Sequence, residues 1–145
     1  GGGMGVIPDD QAIATIHASI DAGANFIDTA EGYQTSEGVL GKALRGRRDE
    51  VFLATKLTGD HSLEHMMQAI ENSLSSLGTD YIDLYQTHWP ERKANYFGAL
   101  DYAHVEDDDW TPMEEQLAAL GEQVKAGKIR AIGVSNETAG GLMKF

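Results

Sequence analysis

The sequence contains no cysteine, and its 11 Lys and Arg residues are outnumbered by 23 Asp and Glu residues. Without thiols the chain can form neither a disulfide framework nor a thiolate metal site, which fits a cytoplasmic protein. The net charge of −12 argues against nucleic-acid and membrane partners, because both require clustered cations. No apolar run approaches the roughly 20 residues that cross a bilayer, and no signal peptide is visible.

What the chain does have is a hydrophobic content of 41% in 145 residues, which is enough to pack one core of ordinary size. We therefore expect a single domain over residues 1–145. The sequence begins Gly1-Gly2-Gly3 rather than with a methionine, which leads us to expect that the natural start lies further upstream.

Apolar runs and helical periods alternate along the chain. Strands are predicted over residues 25–28, 51–55, 81–87 and 129–134, the first of them short and buried. Alternation of strand and helix at about 30 residues per unit indicates a parallel sheet with right-handed crossovers. The longest interval contains residues 91–110, which show neither a helical nor a strand period. A segment of this kind is typical of a functional loop.

Helices with capped starts are predicted between these strands. The clearest begins at Ser62 and ends at Gly78, and its predicted apolar face is Leu63, Met67, Ile70, Leu74 and Leu77, with the methionine as core filling. The other helices are expected to begin at Asp9 or Asp10, at Thr35 or Ser36, at the capping box Thr111-Pro112-Met113-Glu114, and at Glu137.

Reactive types of side chain follow the first three predicted strands. Asp28 and then Tyr33 follow the first, Lys56 follows the second, and His88 follows the third. The carboxyl ends of parallel strands meet at one edge of a sheet, so we expect the four to converge. The alternation fits a doubly wound sheet as well as a barrel, but no Gly-x-Gly-x-x-Gly or Walker-type phosphate loop is present. Functional side chains after several strands favour a (β/α) barrel.

An acid, an amine, a phenol and an imidazole at one edge suit the reduction of a carbonyl group. A free phenol has a pKa of about 10, and a cation about 4 Å away makes a phenol more acidic. Tyr33 is the candidate proton donor, with Lys56 as the cation and Asp28 as its counter-ion. His88 could orient a carbonyl oxygen, and the hydride would come from a nicotinamide. Taken singly, each residue has a structural alternative. Asp28 could cap a helix or turn, and Lys56 could be a solvated charge. Tyr33 could be a turn aromatic, and His88 could be a core histidine.

Longer motifs in the same order resemble the aldo-keto reductases over nearly the whole chain. These motifs are DAGANFIDTAE (residues 21–31), ATK (54–56), LGTDYIDLYQTHWP (77–90) and GKIRAIGVSN (127–136). The long segment that begins at Trp89 is similar to that of a bacterial, NADPH-dependent branch of the family.

The resemblance implies an NADPH-dependent oxidoreductase that reduces a small-molecule aldehyde or ketone to an alcohol. The implied catalytic residues are Tyr33, Lys56, Asp28 and His88, and the implied cofactor-binding residues are Asp28, Ser135 and Asn136. The phenol would donate the proton, the ion pair would set its acidity, and the imidazole would orient the substrate. Ser135 and Asn136 would hydrogen-bond the nicotinamide carboxamide, and they could cap a helix as well. Gln34 departs from the glycine that many relatives have after the tyrosine.

The resemblance also implies a (β/α)8 barrel of the TIM type, of which about half is present. Its first strand would be truncated and its last three strands absent, together with most cofactor contacts. Half a barrel also leaves two unpaired sheet edges, which favour aggregation. Because most cofactor contacts would be absent, we expect this chain alone to bind NADPH poorly and to show no turnover.

Two other functions are compatible with parts of the pattern. A redox-sensing subunit, similar to the potassium-channel β subunits that keep this fold and cofactor, would bind NADPH without appreciable turnover. A metal-dependent hydrolase using Asp28 and His88 is disfavoured, since the chain lacks a His-x-His or His-Glu-x-x-His pair, and we expect no metal. Residues 91–110 could determine the choice of substrate, or form a surface excursion or a subunit contact. The sequence does not indicate an oligomeric state.

Overall fold

The computed structural model describes residues 7–92, 101 and 109–145. Helices and strands alternate over these residues. The helices are α1 (Asp9–Asp21), α2 (Ser36–Ala43), α3 (Leu63–Leu77), α4 (Met113–Lys125) and α5 (Ala139–Leu142), and the strands are β1 (Phe26–Asp28), β2 (Phe52–Leu57), β3 (Ile82–Thr87) and β4 (Ile129–Val134). No helix in this described part is long and apolar enough to cross a membrane.

The four strands form one parallel sheet in the order β1-β2-β3-β4. Each connection between neighbouring strands contains a helix, so the predicted alternation of strands and crossover helices is confirmed. Asp28 at the end of β1 is level with Ala54 of β2, and Lys56 of β2 is level with Gln86 of β3. The carboxyl ends of the strands therefore lie along one edge, where the candidate site residues are found.

The hydrophobic core lies between the sheet and its helices. Leu53 of β2 and Tyr85 of β3 are buried, and they pack in one cluster with Ile20 of α1, Ile70 of α3 and Leu120 of α4. Burial of an aliphatic side chain of this size stabilises a fold by about 1.5–3 kcal/mol. This core anchors the strands from one side and leaves their carboxyl ends accessible.

The prediction that the first strand is buried was wrong. β1 lies at the edge of the sheet, and Phe26 is 57% exposed. Its ring stacks on that of Phe52, the residue level with it on β2, with centroids 5.0 Å apart. Phe52 is itself 41% exposed. Because side chains alternate along a strand, these rings lie on the face opposite to Leu53 and the helix-covered core.

The predicted apolar face of α3 is wrong over its first turns. Leu63 and Met67 are exposed, whereas Met66 is buried. The two methionines are neighbours in sequence, so helical spacing alone cannot decide which one packs inward. From Ile70 onward the predicted face is confirmed, because Ile70, Leu74 and Leu77 are buried in the core cluster.

The predicted ends of α3 are confirmed. The Ser62 hydroxyl accepts from the backbone N–H of His65 at 3.4 Å, and Gly78 takes the left-handed conformation with φ 63°. Thr35 is the N-cap residue of α2 as predicted, but its side chain makes no cap hydrogen bond. The predicted caps of α1 and α4 were wrong, because their N-cap residues are Pro8 and Pro112, which make no side-chain cap hydrogen bond. The acidic residues in the first turns of α1 and α4 still complement the helix dipole.

Some sequence predictions concern residues outside the described ranges. These residues are Gly1-Gly2-Gly3 and most of the predicted functional loop over residues 91–110, namely 93–100 and 102–108. The single-domain extent of 1–145 also stays a prediction.

Candidate active site

The four predicted catalytic residues lie at the carboxyl edge of the sheet. Asp28 is the last residue of β1, Lys56 is the penultimate residue of β2, and His88 directly follows β3. Tyr33 lies in the turn between β1 and α2. The structure thus brings together all four side chains that the sequence singled out, and their roles in a reaction remain predictions.

Lys56 is buried, and its ammonium group donates to two oxygen atoms. Nζ donates to Asp28 Oδ2 at 2.5 Å and to the backbone carbonyl of Thr29 at 2.9 Å. The other carboxylate oxygen, Asp28 Oδ1, accepts from Gln86 Nε2 at 3.2 Å. A buried ammonium has a large desolvation cost, which these contacts offset. The carboxylate is held from both β2 and β3.

The Tyr33 ring lies beside this ion pair. Lys56 Nζ is 5.2 Å from the ring centroid, within the range of a cation–π contact. The ring is 40% exposed, so a ligand can reach it. The following residue, Gln34, has φ 55°, a left-handed conformation that is uncommon for residues other than glycine. This turn therefore uses a backbone conformation that glycine adopts readily, and Gln34 adopts it here.

The His88 imidazole packs edge-on against Tyr33, with ring centroids 5.4 Å apart. Burial and, next, the ammonium of Lys56 lower the pKa of His88 below its ordinary value of 6.5, while Asp28 opposes this shift. The ring is therefore neutral near pH 7. Thr58 Oγ1 lies 3.4 Å from Nδ1. When this hydroxyl donates to Nδ1, the proton is on Nε2, which can then donate to a ligand.

Ser135 and Asn136 directly follow β4. Asn136 Nδ2 donates to the backbone carbonyl of His88 at 2.7 Å and to Ser135 Oγ at 3.1 Å. Among the described residues, these bonds leave the Ser135 hydroxyl proton and the Asn136 amide oxygen for a ligand. A primary carboxamide offers one carbonyl acceptor and one amino donor, so this donor–acceptor pair fits the nicotinamide carboxamide of NADPH.

Tyr33, His88 and Asn136 line one cavity of about 1050 Å³. The carboxylates that line it are Asp60, Glu91 and Asp109, and no Lys or Arg is found among its described lining residues. Hydrogen bonds from Ser62 hold the pKa of Asp60 below its usual value, so this group is an anion near neutrality. A second cavity, of about 960 Å³, is lined by none of the candidate site residues. No group of three or more His, Asp or Glu in the described ranges could hold a metal ion.

Sequence reasoning missed three residues of this site: Gly32, Thr58 and Gln86. Thr58 is two residues after Lys56, and Gln86 is two residues before His88. Side chains two apart on a strand share a face, so this spacing was an available signal. At Gly32 a Cβ atom would lie 2.7 Å from Thr58 Oγ1, closer than any stable contact. Glycine therefore permits the Thr58 side chain to lie against this turn.

The sequence profile described as "Aldo/keto reductase family" matches residues 1–145. Aldo-keto reductase YhdN of Bacillus subtilis is 41% identical over 150 residues, which cover 94% of this chain and 40% of YhdN. Methylglyoxal reductase DkgA of Salmonella typhimurium is 39% identical over 139 residues, covering 92% of this chain and 44% of DkgA.

The crystal structure of an aldo/keto reductase from Klebsiella pneumoniae, in complex with NADP and acetate, is 36% identical and superimposes with a TM-score of 0.77. The match covers 94% of this chain and 43% of that one. This chain therefore spans less than half the length of the relatives that it matches. The predicted fold class, a partial (β/α)8 barrel with about half of its strands, is confirmed.

Proposed function

The chain belongs to the aldo/keto reductase family, and we propose that it supplies the catalytic edge of an NADPH-dependent oxidoreductase that reduces an aldehyde or ketone to an alcohol. The observation that carries this proposal is the convergence of a phenol, an imidazole and an ion pair between buried Lys56 and exposed Asp28 at the carboxyl edge of the sheet. Reduction of a carbonyl requires a proton for the developing oxyanion, and a positioned phenol can provide it.

Tyr33 is the proton donor in this proposal. The nearby ammonium of Lys56 stabilises the negative charge that remains on the phenol oxygen after the proton leaves. Asp28 and the Thr29 carbonyl hold that ammonium in place, so the site needs little rearrangement during the transfer. The proton passes from Tyr33 Oη to the carbonyl oxygen of the substrate.

His88 orients the substrate. Its neutral ring donates from Nε2 to the carbonyl oxygen, and its edge contact with Tyr33 brings that oxygen close to the phenol. Two donors that face the same oxygen stabilise the charge that accumulates there during reduction.

NADPH, when bound, supplies the hydride. The Ser135 hydroxyl and the Asn136 amide oxygen would hold the nicotinamide carboxamide, and Asp28 on the same edge would contact the cofactor. Because Asn136 also bonds the backbone carbonyl of His88, the residue that places the cofactor is joined to the residue that orients the substrate.

We propose small neutral carbonyl compounds as the substrates. The carboxylates of Asp60, Glu91 and Asp109 line the cavity, and they would repel an anionic substrate. The relative DkgA is named a methylglyoxal reductase, and methylglyoxal is a small, neutral aldehyde. A cytoplasmic location remains a prediction of the sequence.

A chimera tests the proposed reaction. Residues 1–145 are joined to the part of the Klebsiella pneumoniae reductase that this chain does not cover, and NADPH oxidation is measured with methylglyoxal. We expect turnover, and we expect Tyr33→Phe to lower kcat at least about a hundredfold with little change in NADPH affinity. The intact Klebsiella enzyme is the positive control. A chimera that binds NADPH but shows no turnover would contradict the proposal and favour the redox-sensing alternative.

The isolated 145-residue chain is expected to bind NADPH weakly and to show no turnover. It spans less than half the length of its relatives, and its described residues supply four of the eight strands of a complete barrel. Fluorescence titration with NADPH and the same oxidation assay measure both properties. Ordinary reductase activity of the isolated chain would refute this expectation.

A further inference from the structure

Glu91, three residues after His88, bonds two separate parts of the chain. Its Oε1 accepts from the backbone N–H of His61 at 3.0 Å, and its Oε2 accepts from the backbone N–H of Thr111 at 2.7 Å. His61 belongs to the loop between β2 and α3, and Thr111 lies just before α4. One carboxylate thus joins the loop after β3 to the loop after β2 and to the start of α4.

The groups that Glu91 bonds are themselves fixed. His61 and Gln116 are buried, and His61 Nδ1 lies 2.7 Å from Gln116 Oε1. Because Gln116 Nε2 donates to the Thr111 carbonyl at 2.6 Å, its amide oxygen is the acceptor and His61 Nδ1 carries the proton. The four side chains and backbones form a closed ring of hydrogen bonds from Glu91 through His61, Gln116 and Thr111 back to Glu91.

Arg92, the residue after Glu91, connects the loop after β3 to the loop after β4. Arg92 forms a two-pronged ion pair with Glu137, one prong of which is 2.8 Å long. Glu137 directly follows Asn136, and the Arg92 guanidinium holds the pKa of its carboxyl below the usual value. The loop after β3 is therefore held to both adjacent strand-end loops within four residues of His88.

This loop forms one wall of the active site. Trp89 and Glu91 both line the cavity, and the Trp89 ring centroid is 6.4 Å from that of His88. Glu91 and Thr111 are 20 residues apart in sequence, so their bond closes the long intervening segment at its base. That bond holds the wall beside His88 to the start of α4.

We propose that Glu91 is a positioning residue, whose carboxylate holds the Trp89 wall against His88 and thereby keeps the imidazole in its half-buried place. Its functional meaning rests on the proposed role of His88 as the residue that orients the substrate. Glu91 acts through the loop and needs no contact with substrate or cofactor.

The test is a proton NMR titration of His88 in the 145-residue chain with Glu91→Gln. A glutamine keeps the shape but presents an amino group to one of the two N–H donors, so the ring of hydrogen bonds opens. We expect the pKa of His88 to rise toward its ordinary value, because the imidazole loses its burial and its proximity to Lys56. Loss of a negative charge alone would move this pKa in the opposite direction. The direction in which the pKa of His88 changes therefore distinguishes a positioning role of Glu91 from a purely electrostatic one.

Amide hydrogen exchange in the same samples reports the fold. Exchange at Thr111 and His61 should accelerate, while the amide of Leu53 in the core stays protected. Glu114→Gln, an exposed carboxylate in the first turn of α4, is the matched control and should leave the pKa of His88 unchanged. Glu91→Asp keeps the charge but shortens the reach, and it should also raise the pKa of His88.

A folded Glu91→Gln chain in which the pKa of His88 is unchanged or lower would overturn the proposal, and so would an unchanged pKa in Glu91→Asp. None of these measurements requires NADPH or turnover. Failure of the positioning proposal is therefore distinguishable from failure of the proposed reaction, which only the chimera assay tests.

Discussion

Lys56 and Asp28 are joined across neighbouring strands, with Nζ and Oδ2 2.5 Å apart. The register of β1 and β2 places Asp28 level with Ala54, and Lys56 lies two residues further along β2. Side chains two residues apart project from the same face of a strand, so the ammonium reaches back to the carboxylate. Strand register therefore brings together the ion pair that lies beside the Tyr33 ring.

In the chimera we expect Lys56→Met to lower kcat by at least about a hundredfold, because Tyr33 loses the cation that stabilises its anion. Asp28→Asn should cause a smaller loss, since Lys56 keeps its bond to the Thr29 carbonyl. Steady-state NADPH oxidation measures both effects. Lys125→Met, at an exposed position on α4, should leave kcat unchanged. Undiminished kcat in Lys56→Met would rule out the proposed role.

The free energy of unfolding of the isolated chain should fall as the pH is lowered from about 7.5 to about 5.5. The pKa of His88 in the folded chain is lower than its ordinary value of 6.5. At a pH between these two values, His88 is therefore more protonated in the unfolded chain than in the folded chain. The stability that neutral His88 contributes is complete above pH 6.5 and is lost as the pH falls through the folded pKa. Urea unfolding at both ends of this window measures the change.

His88→Gln supplies the comparison for that measurement. The decline in unfolding free energy between about pH 7.5 and about pH 5.5 should be smaller in the variant, because glutamine binds no proton in either the folded or the unfolded state. Carboxylates titrate mainly below this range and contribute little to it. An identical decline in both chains would show that His88 is not its source.

The alternation of strands and helices could be predicted because it depends on local patterns. Apolar runs, the glycine after α3 and the Ser62 cap are short-range signals, and the structure follows them. The burial of Phe26 and the choice between Met66 and Met67 could not be predicted. Both depend on which side of an element faces another part of the chain, which short-range periodicity leaves open.

The candidate site was predictable to the extent that it lies at strand ends. The order of Asp28, Lys56 and His88 along the chain, combined with parallel strands, is enough to bring them to one edge. Glu91 had no such signal. Its partner His61 is 30 residues away in sequence, and a glutamate in a long polar segment looks like any solvated charge.

Asp83→Asn should destabilise the isolated chain by about 3 kcal/mol, as expected when a buried ion pair loses one partner. The buried Asp83 carboxylate accepts from Arg48 at 2.7 Å, from Arg130 at 2.8 Å and from the backbone N–H of Leu53 at 2.9 Å. The two oxygens thus connect the start of β3 with β2 and β4. Urea unfolding near neutral pH measures the effect. Asp21→Asn, which removes an exposed partner of an arginine, should change stability far less, and equal effects would contradict the assignment.

In the chimera, methylglyoxal should be reduced with a higher kcat/KM than glyoxylate, an aldehyde of similar size that carries a carboxylate. Three carboxylates line the cavity. By Coulomb's law, a unit negative charge roughly 8 Å from an anionic substrate in a water-like medium weakens its binding by about a factor of two. Asp60→Asn removes one of these carboxylates. The variant should therefore have a ratio of kcat/KM for methylglyoxal to kcat/KM for glyoxylate that is about twofold smaller. Asp10→Asn, on the exposed side of α1, should not alter it.

Ionic strength separates this electrostatic cause from a steric one. Added salt screens charges that face solvent, so the preference for methylglyoxal should shrink as salt is raised. It should shrink less in Asp60→Asn, where less repulsion remains to be screened. A preference that is independent of salt would mean that the shape of the cavity, rather than its carboxylates, discriminates between the two aldehydes. A preference for glyoxylate would contradict the proposed class of neutral substrates.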